Sequence, residues 1–424
     1  MDTKFVFALS LAFAVAFGAA CSDGEEETPS DAGDAEVQED VEGQGDVDGP
    51  DAQTPAEPET VRVATFNTSL YREEAGQLLE DLADPEQEQP AQIAEIIQIN
   101  RPDILLVNEL DYYDDHQAAE LFAENFLGVD QGDQEAIEYP YYYAFESNTG
   151  VASGEDLDGN GVVGTEEGTE DYANDAFGYG LFPGQYAFGV FSKYPLATDE
   201  ARTFQTFLWD DMPNNLIPDG FYSDDAIEIF RLSSKNHVDL PIDVGDHRLH
   251  LLASHPTPPA FDGPEQRNVR RNQDEIRLWH DYIRPGEADY LYDDDGVEGG
   301  LDEDAYFVIV GDLNSDPNDS DENGAVGRLL DDSRTTDPKP ESEGGQIAGE
   351  TSGGANDNHE GEHRHDTSQW HPDVGNMRVD YAIPSSNLTV EDSAVFWPPP
   401  EEDYADLVTA TDHRLVWVDV TLGD

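Results

Sequence analysis

Five apolar or aromatic residues in succession, Tyr306–Val310, are rich in β-branching and too few for a helix of their own, so they predict a strand covered on both faces. Gly311 is expected to end the run, with Asp312-Leu313-Asn314 leaving the sheet edge in a turn. Two apart on an extended chain, Asp312 and Asn314 would point the same way. Val61–Asn67 alternates Val61, Val63 and Thr65 against Arg62, Ala64 and Phe66, the period of a strand. Gln89–Asn100 changes period, with Ile93, Ile96, Ile97 and Asn100 at helical spacing and Pro102 as the stop. Asp103–Glu109 is a second buried strand with a carboxylate at its end. Gln185–Ser192 and Arg248–Ser254 predict further strands, and Pro256 forbids a helix start after the second, leaving His255 at the sheet edge. A helix over roughly Glu265–Tyr282 carries Arg267, Arg270, Arg271 and Arg277. Arg378–Ile383, with Asp380, and Leu415–Leu422, directly after Thr411-Asp412-His413, complete the strands.

The ends add organisation. Residues 1–20 hold one Lys, an apolar run from Phe5 to Phe17 and then small residues, the pattern of a secretory signal peptide. The only cysteine, Cys21, follows Gly18-Ala19-Ala20 and resembles a bacterial lipobox, although Leu is usual where Gly18 stands. Lipidation at Cys21 and membrane anchoring are therefore expected, against the alternative of an ordinary signal peptide cut before an incidental Cys. Residues 21–60 read as an acidic disordered tether: 22–60 hold fifteen acids, no base and no apolar period. From residue 61 to 424 apolar runs recur with no second linker, which predicts one domain with long insertions. The chain nets −75, and 79 acids against 19 bases leave residues 61–424 at −60. Such a surface reads as adaptation to salt. It argues against tight binding of long nucleic acids, which depends on Lys and Arg neutralising phosphates.

Three clusters carry candidate chemistry. Asp156-Leu-Asp158-Gly-Asn160-Gly161, with Glu167 six residues on, matches the calcium-loop pattern. Asp156, Asp158 and Asn160 would give side-chain oxygens, Val162 a backbone carbonyl and Glu167 both carboxylate oxygens. A structural Ca2+ ordering the loop is the reading; an acidic loop in an acidic protein is the alternative. Arg231, Lys235 and His237 gather bases where bases are scarce, to face a phosphate or to form a buried ion pair. His359, His363, His365 and His371 share a Gly/Asp-rich loop that reads as solvated rather than as a metal site. GDLN alone is as well read as a turn, and Glu109 as a solvated carboxylate or a ligand.

Taken together, the segments TFN, LLVNE, SHP, GDLN, VDY and TDH, in that order, resemble the endonuclease/exonuclease/phosphatase superfamily of DNase I-like metal-dependent phosphoesterases. SHPTPPAFDGPEQRN, DMP, RLSSK, FPGQY and VFWP further resemble a secreted bacterial branch. The resemblance implies an α+β fold: a four-layer α/β/β/α sandwich of two mostly antiparallel mixed sheets packed face to face, with outer helices. Position by position it implies Glu109 and Asn67 at a Mg2+ (or Mn2+) site, with Asp412 as a further metal-linked acid. Asp312 and Asn314 would orient the attacking water and hold a phosphoryl oxygen. His413 would be the general base or transition-state stabiliser, oriented by Asp380. His255 would match the second histidine of pancreatic-type deoxyribonucleases, sphingomyelinases and inositol-phosphate phosphatases, which abasic-site endonucleases lack. LVNEL departs from the usual LQE in placing Asn108 before the acid.

The chemistry agrees. Phosphoester hydrolysis develops charge on phosphoryl and leaving oxygens that a divalent cation and imidazoles neutralise. An all-oxygen ligand set favours Mg2+. The expectation is an exported, metal-dependent hydrolase acting as a monomer on a phosphodiester, either a nucleic acid or a small or lipid molecule. A phosphomonoesterase and a non-catalytic, calcium-stabilised surface binding module are the alternatives.

Overall fold

The alternation at Val61–Asn67 sorts side chains between two interiors. Val61 and Val63 join Ile104, Leu106, Val308, Val310, Val416 and Val418 in one core, whereas Ala64 and Phe66 join Leu105 and Val107 in another. A one-residue slip of the strand would exchange the two sets, so the register is firmly specified.

The computed structural model describes residues 59–320 and 324–423; the leader, Cys21 and the acidic stretch to residue 58 lie outside them. The strands in chain order are β1 (Glu59–Asn67), β2 (Ile104–Asn108), β3 (Tyr141–Phe145), β4 (Phe188–Ser192), β5 (Arg202–Thr203), β6 (His237–Val244), β7 (His247–Ser254), β8 (Tyr306–Asp312), β9 (Ser368–Gln369), β10 (Asn376–Met377), β11 (Asp380–Pro384), β12 (Thr389–Val395) and β13 (Val416–Leu422). They form a six-stranded sheet in the order β12-β13-β1-β2-β4-β3, a five-stranded sheet β11-β8-β7-β6-β5 and a small β9/β10 pair. Only β1/β2 and β7/β8 pair in parallel within the two large sheets.

Three apolar layers separate four layers of structure. Between the sheets lie Val63, Leu106, Val190, Leu240, Leu251, Val310 and Val418. Ile93 and Ile97 of the helix Glu88–Asn100, with Phe122 of Gln117–Phe122, cover the outer face of the larger sheet. Ile276 and Trp279 of the helix Arg267–Tyr282 cover Leu252 and Ile309 on the other. This is the α/β/β/α sandwich that the motif order implies.

Several boundaries differ from the apolar pattern. Gly311 does not end the central strand: β8 continues to Asp312, which pairs with Asp380. Gly311 takes φ 146°, and a Cβ there would collide with the Ser254 carbonyl oxygen, so glycine lets two backbones approach. Asn314 is not extended. Its φ is 51°, and its backbone N–H donates to Asp312 Oδ1 at 2.9 Å, closing a turn rather than continuing the strand. β4 starts at Phe188 instead of Gln185: the Gln185 N–H closes a turn onto Phe182 O and Tyr186 takes φ 59°, so the chain is not extended there.

The arginines of Arg267–Tyr282 hold loops rather than forming a basic face. Arg271, buried, donates to the carbonyls of Leu232, Phe177 and Arg231; Arg267 reaches Leu157 O and Arg277 reaches Pro213 O. The long insertions are thereby tied to the domain through charge-assisted hydrogen bonds.

Candidate active site

The ends of β1, β2, β7 and β8 and the starts of β11 and β13 meet along one edge of the two sheets. The parallel pairs deliver Asn67 beside Asn108 and Ser254 near Asp312, and the antiparallel partner returns Asp380 opposite Asp312. Each candidate side chain therefore sits on, or one or two residues beyond, a rigid strand.

Asp312 is the hub. Its Oδ2 accepts from Asn67 Nδ2 at 3.1 Å and lies 3.4 Å from His255 Nε2 and 3.7 Å from His413 Nε2. The same Asn67 Nδ2 donates to Glu109 Oε1 at 3.1 Å, so one amide holds two carboxylates side by side. Glu109 follows β2 at φ 60°, a strained turn that directs it into the site. His413 Nδ1 is 2.9 Å from Asp380 Oδ2, an oxygen that also accepts from Thr367 Oγ1 at 2.8 Å. Asp412 is half exposed at the rim, its Oδ1 3.9 Å from His413 Nε2. Asn314 Nδ2 donates to Pro256 O at 3.1 Å, which fixes the residue after His255.

Electrostatics follow from burial. Asp312 is pushed up to about 7, chiefly by desolvation, with the His413 cation opposing and Asp380 adding to the rise. Burial also raises Glu109, against His413 and the Asn67 hydrogen bond. For His413 burial opposes charge, but Asp380 and Asp312 outweigh it and hold the imidazole well above its ordinary value. His255 goes the other way: burial first, then Lys235 and His413, keep it well below, a neutral ring. Lys235 is buried where it feels Glu275, Glu109 and Asp312, and burial lowers it.

The donors suit a hard divalent cation. Glu109 and Asp312 offer oxygens on the two sides of the Asn67 amide, with Asp412 at the rim beside His413, and burial raises the first two, which a cation would relieve. Asp312, Asp380 and His413 also present ligand atoms within 4.8 Å of one another. A family model described as "Endonuclease/Exonuclease/phosphatase family" matches residues 64–413. The chain belongs to this family.

Solved structures of similar fold include an endonuclease/exonuclease/phosphatase from Beutenbergia cavernae (18% identity, TM-score 0.47, 86% of this chain and 72% of that one). Others are truncated Caenorhabditis elegans TDP2 (14%, 0.40, 86% and 98%) and sphingomyelinase C from Streptomyces griseocarneus (15%, 0.41, 85% and 99%). A search of the curated proteins returned no match.

In this endonuclease/exonuclease/phosphatase chain all six distant segments reach one neighbourhood. The unusual Asn108 lies within β2, where its Nδ2 donates to Thr65 Oγ1 at 3.2 Å. Of the RLSSKNH bases, only Lys235 faces the site: Arg231 donates to Asn148 Oδ1, and His237, pushed down to about 4 by burial, lies 2.7 Å from Ser233 Oγ. Glu275 bridges the segments carrying Lys235 and His255, accepting from Ser234 N and Thr257 N at 2.6 Å each. Thr367 and Tyr71 are functional neighbours without a sequence signal. Tyr71 packs on Tyr186, ring centroids 4.5 Å apart, and burial, then Glu109 and Asp412, push it up to about 12.

The calcium-pattern loop lies apart from these residues in sequence and hydrogen bonding. Asp156 and Asp158 are joined by Asp175, which the pattern did not include, and Glu167 is outside that group and exposed. Asn160 Oδ1 accepts from Val162 N–H at 2.7 Å, and no ligation by Val162 or Asn160 is needed to close the turn.

Proposed function

We propose that this chain is a divalent-metal-dependent phosphoester hydrolase that cleaves phosphodiesters of small or lipid-like molecules. The observation that carries the reading is the convergence on Asp312 Oδ2 of Asn67, His255 and His413, with Glu109 on the same Asn67 amide. Glu109, Asp312 and Asp412 would hold Mg2+ or Mn2+, which supplies positive charge to the phosphoryl and leaving oxygens. Asp380 holds the Nδ1 proton of His413, so Nε2 faces the substrate. As an imidazolium His413 stabilises the transition-state oxygens; once deprotonated, it accepts the proton of the attacking water. His255, neutral, lies with its Nε2 near Asp312 and can donate a hydrogen bond from it to a phosphoryl or leaving oxygen. Lys235, buried where it feels Glu109 and Asp312, adds positive charge when protonated, although burial lowers its pKa.

A domain at −60 disfavours long polyanions and supports a small diester. A monoester, whose extra charge Lys235 and His413 would accept, is the second reading. Assays with duplex DNA, bis-aryl and mono-aryl phosphates, with and without Mg2+, test both. Mg2+-dependent turnover of the bis-aryl ester above the others supports the first reading, and no turnover of any substrate sinks both in favour of a binding module.

Export and a lipid anchor at Cys21 belong to the same proposal; Cys21→Ser should release the chain from the membrane fraction. So does a structural Ca2+ at Asp156 and Asp158, supported by the calcium-loop pattern and now with Asp175 beside them.

A further inference from the structure

Some 40 residues apart in sequence, the loop after Asp312 and the loop before Thr367 face each other through His359, His363, Asp366 and Asp319. His359 Nδ1 lies 3.1 Å from Asp319 Oδ2. Its other nitrogen, Nε2, is 3.3 Å from Asp366 Oδ1 but off the axis of a hydrogen bond, so it is buried with no hydrogen-bond partner in a side chain only 4% exposed. His363 Nδ1 is 2.9 Å from the other oxygen of Asp366, and the two imidazoles are stacked at 4.3 Å. Ligand atoms of His359, His363 and Asp366 all lie within 4.8 Å of one another.

We infer that His359, His363 and Asp366 form a second metal site, separate from the catalytic one, for a borderline divalent ion, with Zn2+ the default. Two imidazole nitrogens and one carboxylate are the donor types such an ion prefers. In a tetrahedral site with bonds of about 2.0–2.1 Å, donors sit roughly 3.3 Å apart; His359 Nε2 and Asp366 Oδ1 have that spacing, and a ligand atom of His363 lies within 4.8 Å of them. Asp319 behind His359 is the usual outer carboxylate: by taking the Nδ1 proton it leaves the Nε2 lone pair facing inward. Gly349 supports the arrangement, since a Cβ there would collide with the His363 ring. The solvated-loop reading of the sequence does not account for a buried, unpartnered imidazole nitrogen.

The ion's work is mechanical. Asp366 immediately precedes Thr367, whose hydroxyl donates to Asp380 and accepts from Val379 and Asp380 N–H, and whose carbonyl accepts from Arg414 N at 2.7 Å. Asp319 is tied through Asp316 to the segment leaving β8: Asp316 Oδ1 accepts from Asp319 N, and Oδ2 from Arg378 N. An ion at His359 therefore clamps the chain segments that position both members of the His413–Asp380 pair.

The site is tested by metal binding and not by hydrolysis, so it stands or falls apart from the proposed reaction. The full-length chain, stripped of metal, is titrated with Zn2+ in excess Mg2+, and with Co2+ while visible absorption is recorded. One tight Zn2+ equivalent and intense tetrahedral Co2+ bands are expected. Both should persist in His255→Ala/His413→Ala and vanish in His359→Gln/His363→Gln, while Asp319→Asn weakens Zn2+ about 10–100-fold. Equal Zn2+ affinity in wild type and in the His359/His363 variant overturns the assignment. Should that variant not fold, Co2+ spectra in the His255→Ala/His413→Ala background decide, and weak octahedral bands alone overturn it.

Discussion

Two groups of acids in this molecule use the same residue types to opposite ends. In the loop around residues 156–175, backbone N–H groups satisfy the carboxylates: Gly159, Asn160 and Gly161 donate to Asp156, and Leu157 and Gly164 to Asp175. At the sheet edge, Glu109 and Asp312 share one amide, Asp312 takes one backbone N–H from Asn314, and both otherwise face imidazoles and a buried lysine. The loop acids are solvated by their own chain, so they fix a turn. The strand-end acids have fewer such donors, with one backbone N–H (Asn314) on Asp312, so the rest of their charge is met by His413, Lys235 or a cation. Incomplete local compensation, imposed by rigid strands, separates a site that does chemistry from one that holds shape.

That contrast can be broken or sharpened by mutation. His413→Ala should lower turnover of a bis-aryl phosphate by about 10³–10⁴-fold in a chain that still folds, at lower Tm because Asp380 loses its buried partner; a loss under tenfold contradicts its role. Asp380→Asn should cost about 100-fold, within the usual range for a proton-transfer partner. It should also move the pH–rate limb set by His413 to lower pH, because the carboxylate that raises the imidazole is gone. An unmoved limb would mean that Asp380 only packs.

The third test reads stability. Asp312 rises from 3.8 to about 7 in the folded chain. Well below pH 3.8 it is protonated in both states. As pH rises from about 4 to about 7, the unfolded chain ionises first, so stability drains away across that window. Without divalent metal, Asp312→Asn should therefore gain on wild type over the same range, ending a few degrees higher in Tm. Added Mg2+ should reverse the order. A difference that does not change with pH removes the burial argument. The smallest effect belongs to the loop: chelation of Ca2+ should lower Tm by about 1–3 °C, and Asp158→Ala should abolish that response. Identical melting with and without chelator dismisses calcium there.

Much of this was legible in the sequence, and the exceptions share a cause. Apolar runs at 61–66, 104–107 and 306–310 announced the sheets because each is buried on at least one face. The order of the motifs announced Asn67, Glu109, His255, Asp312, Asp380 and His413, since strand ends fix them. Gly311 was misread, and the turn expected after it closes at Asn314 without the extended geometry, because their positive φ depends on neighbouring backbone, not on apolar period. Lys235 gave only the weak signal of a base in an acid-rich chain. Asp175, Thr367 and Asp319 gave none, because their partners are brought close by folding rather than by spacing. The arginines of the basic helix had no readable role, because the loop carbonyls they bind are brought to them by the fold.

The most direct test of the central claim is an anomalous difference map from crystals of the full domain soaked in Mn2+ with inorganic phosphate. A strong peak bounded by Glu109, Asp312 and Asp412, with phosphate oxygens reaching it and His413 Nε2, is the predicted result. Phosphate bound elsewhere, and no peak beside Glu109 and Asp312, would contradict it.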